Sequence, residues 1–164
     1  RNFCRAIVAV AEQVPERPAA HDISKFLYVA PHAEELICTS LDFIDEGSFP
    51  IPFRALGWFY SGQGLYQVAK DFCETSLEIS TKRFGSKHLN TALSFSNLGS
   101  IDLKIAAYTN AEKQYSSGLE IKKLLLGEKH SFVADDLDGL AISLKQQSKY
   151  KAAESLYHLA LRIR

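Results

Sequence analysis

Residues 98–130, LGSIDLKIAAYTNAEKQYSSGLEIKKLLLGEKH, carry the pattern that decides the fold, because their key positions recur 42 residues to either side. Leu98-Gly99 answers Leu56-Gly57 and Leu140-Ala141, Tyr108 answers Tyr66 and Tyr150, and Ala111 answers Ala69 and Ala153. The same register superimposes Tyr115 on Cys73 and Tyr157, Gly118 on Ser76 and Ala160, and Leu119/Ile121 on Leu77/Ile79 and Leu161/Ile163. Even the connection recurs, with Gly85 and His88 matched by Gly127 and His130. A period of roughly 20–50 residues marks stacked supersecondary units, each too small to bury a core alone.

Within a period, two helical patterns follow one another. Residues 89–104 place Ala92, Leu93, Phe95, Leu98 and Ile101, with Ile105 just beyond, mostly three or four apart, and residues 108–126 do the same with Ala111, Tyr115, Leu119, Ile121 and Leu125. That spacing is helical. Small residues at 57, 99 and 141, and at 69, 111 and 153, let the two backbones of a hairpin approach closely. Gly85 and Gly127 follow basic residues at the ends of the second helices, where a left-handed cap is expected.

The run Gly-Ser-Phe-Pro-Ile-Pro at 47–52 interrupts any helix, so repeats are expected over 51–164, with units starting near 51, 89 and 131 and the last incomplete. Residues 1–50 lack the period and read as an N-terminal helical cap. There Asn2 to Val14 is expected to bury Phe3, Ala6, Ile7, Val10 and Val14, and His32 to Ile44 to bury Leu36, Ile37, Leu41 and Ile44. A short helix is expected over Asp22 to Val29, capped by Asp22.

The composition excludes several classes of function. Nineteen basic and 19 acidic residues balance, so no general field attracts nucleic acid or an anionic membrane. No apolar run is long enough to span a bilayer, and the N-terminus lacks a signal-peptide pattern. Cys4, Cys38 and Cys73 are odd in number and form no metal or redox motif, which points to a reduced, cytoplasmic setting. The absence of an initial methionine and the end at Arg164, inside an apolar-periodic segment, predict a fragment of a longer protein.

The Leu-Gly and aromatic pattern resembles the tetratricopeptide repeat, in the long version found in kinesin light chains, whose linker reads Leu-Gly-x-x-His-Pro. Here it reads Leu126-Gly127-Glu128-Lys129-His130 and Phe84-Gly85-Ser86-Lys87-His88, with Leu89 and Ser131 in place of the proline. The resemblance implies an all-α fold, a right-handed α-solenoid of tetratricopeptide helical hairpins with an N-terminal helical cap. Asp102 departs from Tyr60 and Leu144 at the same register, which predicts either a looser second unit or a polar partner for its carboxylate. Residues 31–64 are also similar to the junction before the terminal repeats of bacterial signal-transduction (NB-ARC-like) ATPases. That likeness implies a sensor or regulatory arm of a larger enzyme.

Chemistry is sparse. Residues 57–64 contain glycines but no Gly-Lys-Ser/Thr ending for phosphate, the five histidines form no His-Glu-x-x-His pair, and no Gly-x-Ser-x-Gly elbow occurs. Asp135, Asp136 and Asp138 precede Gly139 but lack the alternation and final glutamate of a calcium loop, so they read as a solvated acidic helix face. No catalytic residue, metal site or cofactor is expected. His88 and His130 read as caps or interhelix hydrogen bonds.

A concave surface remains, lined by first helices, where a protein or peptide could lie. By register its exposed residues are Arg54, Trp58 and Ser61 in the first unit, Leu93, Ser96, Asn97, Ser100 and Lys104 in the second, and Asp135, Asp138, Ile142 and Lys145 in the third. In kinesin light chains an asparagine clamps cargo two positions before the repeating leucine; here Arg54, Ser96 and Asp138 stand there, so that clamp is not carried over. Trp58 is either an interface anchor or packed on the N-terminal helices. Self-association is expected through the open C-terminal end, where Leu156, Leu159, Leu161 and Ile163 have no following repeat.

Overall fold

The computed structural model describes residues 2–164, and among them the regular structure is helical. Nine α-helices follow in order: α1 Asn2–Ala11, α2 Ala20–Phe26, α3 Ala30–Thr39, α4 Pro50–Gly62, α5 Tyr66–Phe84, α6 Leu89–Lys104, α7 Tyr108–Leu126, α8 Ser131–Gln146 and α9 Tyr150–Ile163. Two short 3-10 turns, Leu41–Phe43 and Glu46–Ser48, separate α3 from α4. The chain divides into two compact units, Arg1–Ser76 and Leu77–Arg164, and the division falls inside α5.

In the first unit α4 is the central element, contacted by α1, α2 and α3. Pro50 and Pro52 do not break it, because both sit in its first turn, where a missing N–H costs nothing. Phe53, Ala55, Leu56 and Phe59 are buried along it, and Phe59 meets Phe26 of α2 edge to face at 5.3 Å. A Cβ on Gly57 would stand 3.0 Å from Cys73 Sγ, so the small residue at this register allows α4 and α5 to meet.

The N-terminal helices depart from expectation in detail. α1 buries Cys4, Ile7 and Ala11, with Val14 just beyond, while Phe3 and Val10 are exposed. Both stripes have helical spacing, and the neighbours α3 and α4 select the narrower one. α3 begins two residues earlier than expected and stops at Thr39, with Leu36, Ile37 and Ile44 buried and Leu41 only half-buried. Asp22 lies in the first turn of α2 rather than before it, and its carboxylate accepts from the Ala19 backbone N–H at 2.9 Å.

The second unit shows the repeat most plainly. α6 and α7 form one antiparallel hairpin and α8 and α9 the next, with α7 contacting α8 and α6 touching α8. Tyr66, Tyr108 and Tyr150 each open a second helix. The turn before each tyrosine uses one left-handed residue at the same register: Gly64 (φ 78°), Ala106 (φ 60°) and Ser148 (φ 62°). Between hairpins, Gly85 and Gly127 have φ of 94° and 83°, and their N–H groups close on Thr81 and Lys123 carbonyls at 3.0 Å. The next helices start sharply without proline. His88 and His130 are the N-caps, each Nδ1 accepting from the backbone N–H two residues on at 3.1 Å.

Candidate peptide-binding face

Arg54, Trp58 and Ser61 fall on one stripe of α4. The Arg54 guanidinium lies 4.8 Å over the Trp58 ring, a cation–π contact. Burial lowers the Arg54 pKa, and the charge of Glu12 opposes that shift. Arg54 Nε and Trp58 Nε1 are both buried without a hydrogen-bond partner. Ser61 is not an exposed groove residue: it is 5% exposed, and its hydroxyl donates to the Trp58 carbonyl at 3.0 Å. On a neighbouring stripe Tyr60 donates to Glu34 and stacks on Phe72. Its pKa is pushed up to about 12, first by burial and then by the Glu34 carboxylate.

On α6, Leu93 and Asn97 are half-buried, as is Lys104. Ser100 is buried, donating to the Asn97 carbonyl at 2.8 Å, which again corrects the expectation of exposure. Serine in a helix commonly turns its hydroxyl back to its own backbone, and both corrected residues do so. Ser96 is occupied differently. Its hydroxyl donates to the Ala92 carbonyl at 3.0 Å and accepts from Lys122 Nζ at 2.7 Å.

On α8, Ile142 is half-buried and Lys145 exposed. Asp138 and Asp135 are drawn together by Arg164, whose Nη2 stands 2.6 Å and 3.0 Å from their carboxylates. Hydrogen bonding to Asp135 and the charge of Asp138 raise the Arg164 pKa. These two acids therefore form an ion-paired cluster.

Asp136 contradicts the solvated-face reading outright. It is 1% exposed and paired with Lys122, itself 2% exposed, at 2.8 Å across the α7–α8 contact. Burial lowers the Lys122 pKa and raises that of Asp136, each shift opposed by the other's charge. Desolvation is the larger influence on both. Asp136 Oδ2 remains without a hydrogen bond, and a Cβ on Gly118 would stand 3.0 Å from it, so this register needs a small residue here. The sequence did contain the signal: Asp136 stands 42 residues after Ser94, and Lys122 42 after Ser80. Ser80 and Ser94 are also buried and hydrogen-bonded at 3.2 Å.

Among the described residues no group of three His, Cys, Asp or Glu could hold a metal ion, and no helix is long and apolar enough to cross a membrane. An open cleft of about 480 Å³ beside α7 is lined by Glu112, Ser116, Gln147 and Lys149, among others. Both Gln147 and Lys149 bond Glu112 there, at 2.7 Å and 3.0 Å.

Hairpins with a small residue at each crossing and a glycine-capped linker every 42 residues define a recognisable unit. Residues 52–124 match the tetratricopeptide repeat family. The matched segment runs from the first turn of α4 almost to the end of α7, and α8–α9 continue the register as a further tetratricopeptide-like hairpin. No curated protein matches the chain. Among solved structures, the crystal structure of BtubC (BKLC) from P. vanneervenii is similar with a TM-score of 0.71 over 99% of this chain and 68% of that one, at 22% identity. That likeness shows the fold, an α-solenoid built of helical hairpins. Tetratricopeptide repeats mediate protein–protein interaction, and residues 52–124 of this chain match such repeats.

Proposed function

We propose that the chain is a non-catalytic interaction scaffold in which α6 and α8 present a concave groove for a peptide segment of a partner protein. One observation carries the reading. After Ser96, Ser100, Asp135 and Asp138 are taken up by intramolecular contacts, Leu93, Asn97 and Ile142 remain half-exposed and Lys145 exposed. A carboxamide can donate to and accept from one peptide group, while Leu93 and Ile142 offer area to apolar side chains. On α4 the Arg54–Trp58 pair forms a second stripe suited to an acceptor-bearing partner.

The test is selection from a random displayed-peptide library against the intact chain, followed by Leu93→Asp, Asn97→Ala and Ile142→Asp variants. Selected peptides are expected to lose at least about tenfold in affinity, with helicity unchanged; tenfold corresponds to about 1.4 kcal/mol. Unaltered binding by all three variants would reject the groove.

Self-association through α9 has its own support. Contrary to the expectation that all four apolar residues of α9 lie uncovered, Leu156, Leu159 and Ile163 are half-buried against the α7–α8 core. The support is Leu161: it is 72% exposed, whereas its register equivalent on α7, Leu119, is 8% exposed under α8. Sedimentation across a concentration series tests this, and a strictly monomeric chain removes it. Service as the sensor arm of a larger signal-transduction ATPase rests on the resemblance of residues 31–64. A full-length gene with no phosphate-binding motif upstream would exclude it.

A further inference from the structure

Helix α4 carries two donors that nothing in the chain answers. Arg54 Nε and Trp58 Nε1 are buried without a hydrogen-bond partner, and the two residues stand one turn apart. No other buried side-chain donor among the described residues is left in that state. Buried donors are nearly always matched, so two adjacent exceptions call for a reason.

The pair also holds a charge without a counter-charge. Among the described residues no carboxylate forms an ion pair with Arg54, whereas the buried Lys122 has Asp136. Arg54 is half-buried and only its Nε is fully shielded, so its outer guanidinium nitrogens reach the surface. The guanidinium lies 4.8 Å over the Trp58 ring and covers that face, which leaves less of the indole free as an apolar anchor. What Trp58 adds is a neutral N–H beside a charged donor group.

One carboxylate limits what can bind. Glu12, exposed just past α1, is close enough for its charge to act on Arg54 but makes no ion pair with it. One positive and one negative charge leave room for a monoanion, and a dianionic phosphate would be repelled more strongly.

We infer that Arg54 and Trp58 receive a single side-chain carboxylate, from an aspartate or glutamate of the partner protein, with the guanidinium binding one oxygen and the indole N–H the other. A carboxylate has two acceptor oxygens and no donor, which suits a site made of donors alone. Its bond to a guanidinium is charge-assisted and therefore strong. Occupation matches both isolated N–H groups and supplies the missing counter-charge. The inference rests on the interaction reading above, but not on its α6–α8 groove.

Trp58 is the only tryptophan of the chain, so its fluorescence reports on the site directly. The intact chain is titrated at neutral pH, to millimolar concentration, with acetyl-hexaglutamate amide, with acetyl-hexaglutamine bearing a free terminal carboxylate, and with inorganic phosphate. Hexaglutamate should shift the emission saturably and bind tightest of the three. Arg54→Gln should weaken it at least about tenfold, the loss expected for a hydrogen bond to a charged group, with Arg54→Lys in between. Glu12→Gln should tighten it about twofold, while Glu120→Gln, the same change of charge on α7, should leave it unaltered. Glu12 is exposed, so that comparison holds even if Arg54→Gln fails to fold. No saturable response to hexaglutamate, equal affinity in folded Arg54→Gln, equal effects of the two glutamate substitutions, or a preference for either of the other probes overturns the inference. If hexaglutamate fails while displayed peptides still bind through Leu93, Asn97 and Ile142, this site alone is removed; if hexaglutamate binds and no displayed peptide does, the groove alone is.

Discussion

The contact between α5 and α6 and that between α7 and α8 occupy the same place in the repeat but are closed by different chemistry. At the first, Ser80 and Ser94 share a hydrogen bond of 3.2 Å; at the second, Lys122 and Asp136 form an ion pair of 2.8 Å, equally shielded from water. The two serines are each neutral, and Ser80 also reaches the Leu77 carbonyl at 3.2 Å, so losing Ser94 does not leave the Ser80 hydroxyl unmatched. The two charges are different. Each was stripped of its hydration on folding, and the attraction between them only partly offsets that cost. Identical backbone registers can therefore contain contacts of very different sensitivity.

A second contrast runs beside the first. Cys73, Tyr115 and Tyr157 share one register, and the larger ring of Tyr115 reaches beyond its own hairpin to α8. A Cβ on Gly139 would stand 2.3 Å from the ring, so Gly139 exists to admit it. The register equivalent of Gly139 on α6 is Asn97. α8 is thus shaped for α7 at two points, by a carboxylate and by a missing side chain.

The largest effect is expected from removing one charge. Lys122→Met should cost about 3–5 kcal/mol in urea unfolding, because it leaves Asp136 buried and unpaired. Lys122→Met with Asp136→Leu should recover most of the loss. A single substitution costing no more than one at Ser80 would erase the distinction between the contacts.

Gly139→Ala is expected to cost about 1–3 kcal/mol by overpacking, seen as a lower thermal midpoint. Combining it with Tyr115→Cys, the residue of the first repeat, should make the added methyl nearly harmless. If the two substitutions are simply additive, the ring is not what Gly139 accommodates.

The serine contact should respond more weakly. Ser94→Ala alone is expected to cost about 1 kcal/mol or less in urea unfolding, because Ser80 keeps the Leu77 carbonyl as a partner. At the far end, Arg164 holds the register of Lys122, yet its side chain is 51% exposed. Arg164→Ala should cost well under about 1 kcal/mol and nothing measurable at high salt. A cost near that of Lys122→Met would mean that α9 is covered in solution.

The repeat could be read from residues alone because its small and aromatic positions serve the hairpin's own geometry. Residues 56–57, 98–99 and 140–141 are constrained by what lies one helix away, and that neighbour is encoded a fixed distance along the chain. The Lys122–Asp136 pair was hidden by its composition. Three aspartates in five residues suggest solvent, and only the register with Ser94, a serine with no evident purpose, placed one of them inside. Ser61 and Ser100 failed for a related reason, since register gives the face of a residue but not whether its hydroxyl turns inward. In α1 two stripes, one through Phe3 and Val10 and one through Cys4, Ile7 and Ala11, were equally helical. Without a repeat, nothing in the sequence said which would meet α3 and α4. The histidine caps lay between: their recurrence was evident, but the choice of nitrogen required coordinates.

The corners that precede Tyr66, Tyr108 and Tyr150 have an engineering consequence. One uses glycine; Ala106 and Ser148 hold the same left-handed geometry with a side chain that resists it. Ala106→Gly and Ser148→Gly should each harden the fold to heat by a few tenths of a kcal/mol, once the greater freedom of unfolded glycine is subtracted. The corners lie outside the helices that carry the candidate face, and the one contact forfeited is that of the Tyr150 hydroxyl with Ser148 Oγ at 3.5 Å, so they are places where the fold can be stabilised at little structural cost.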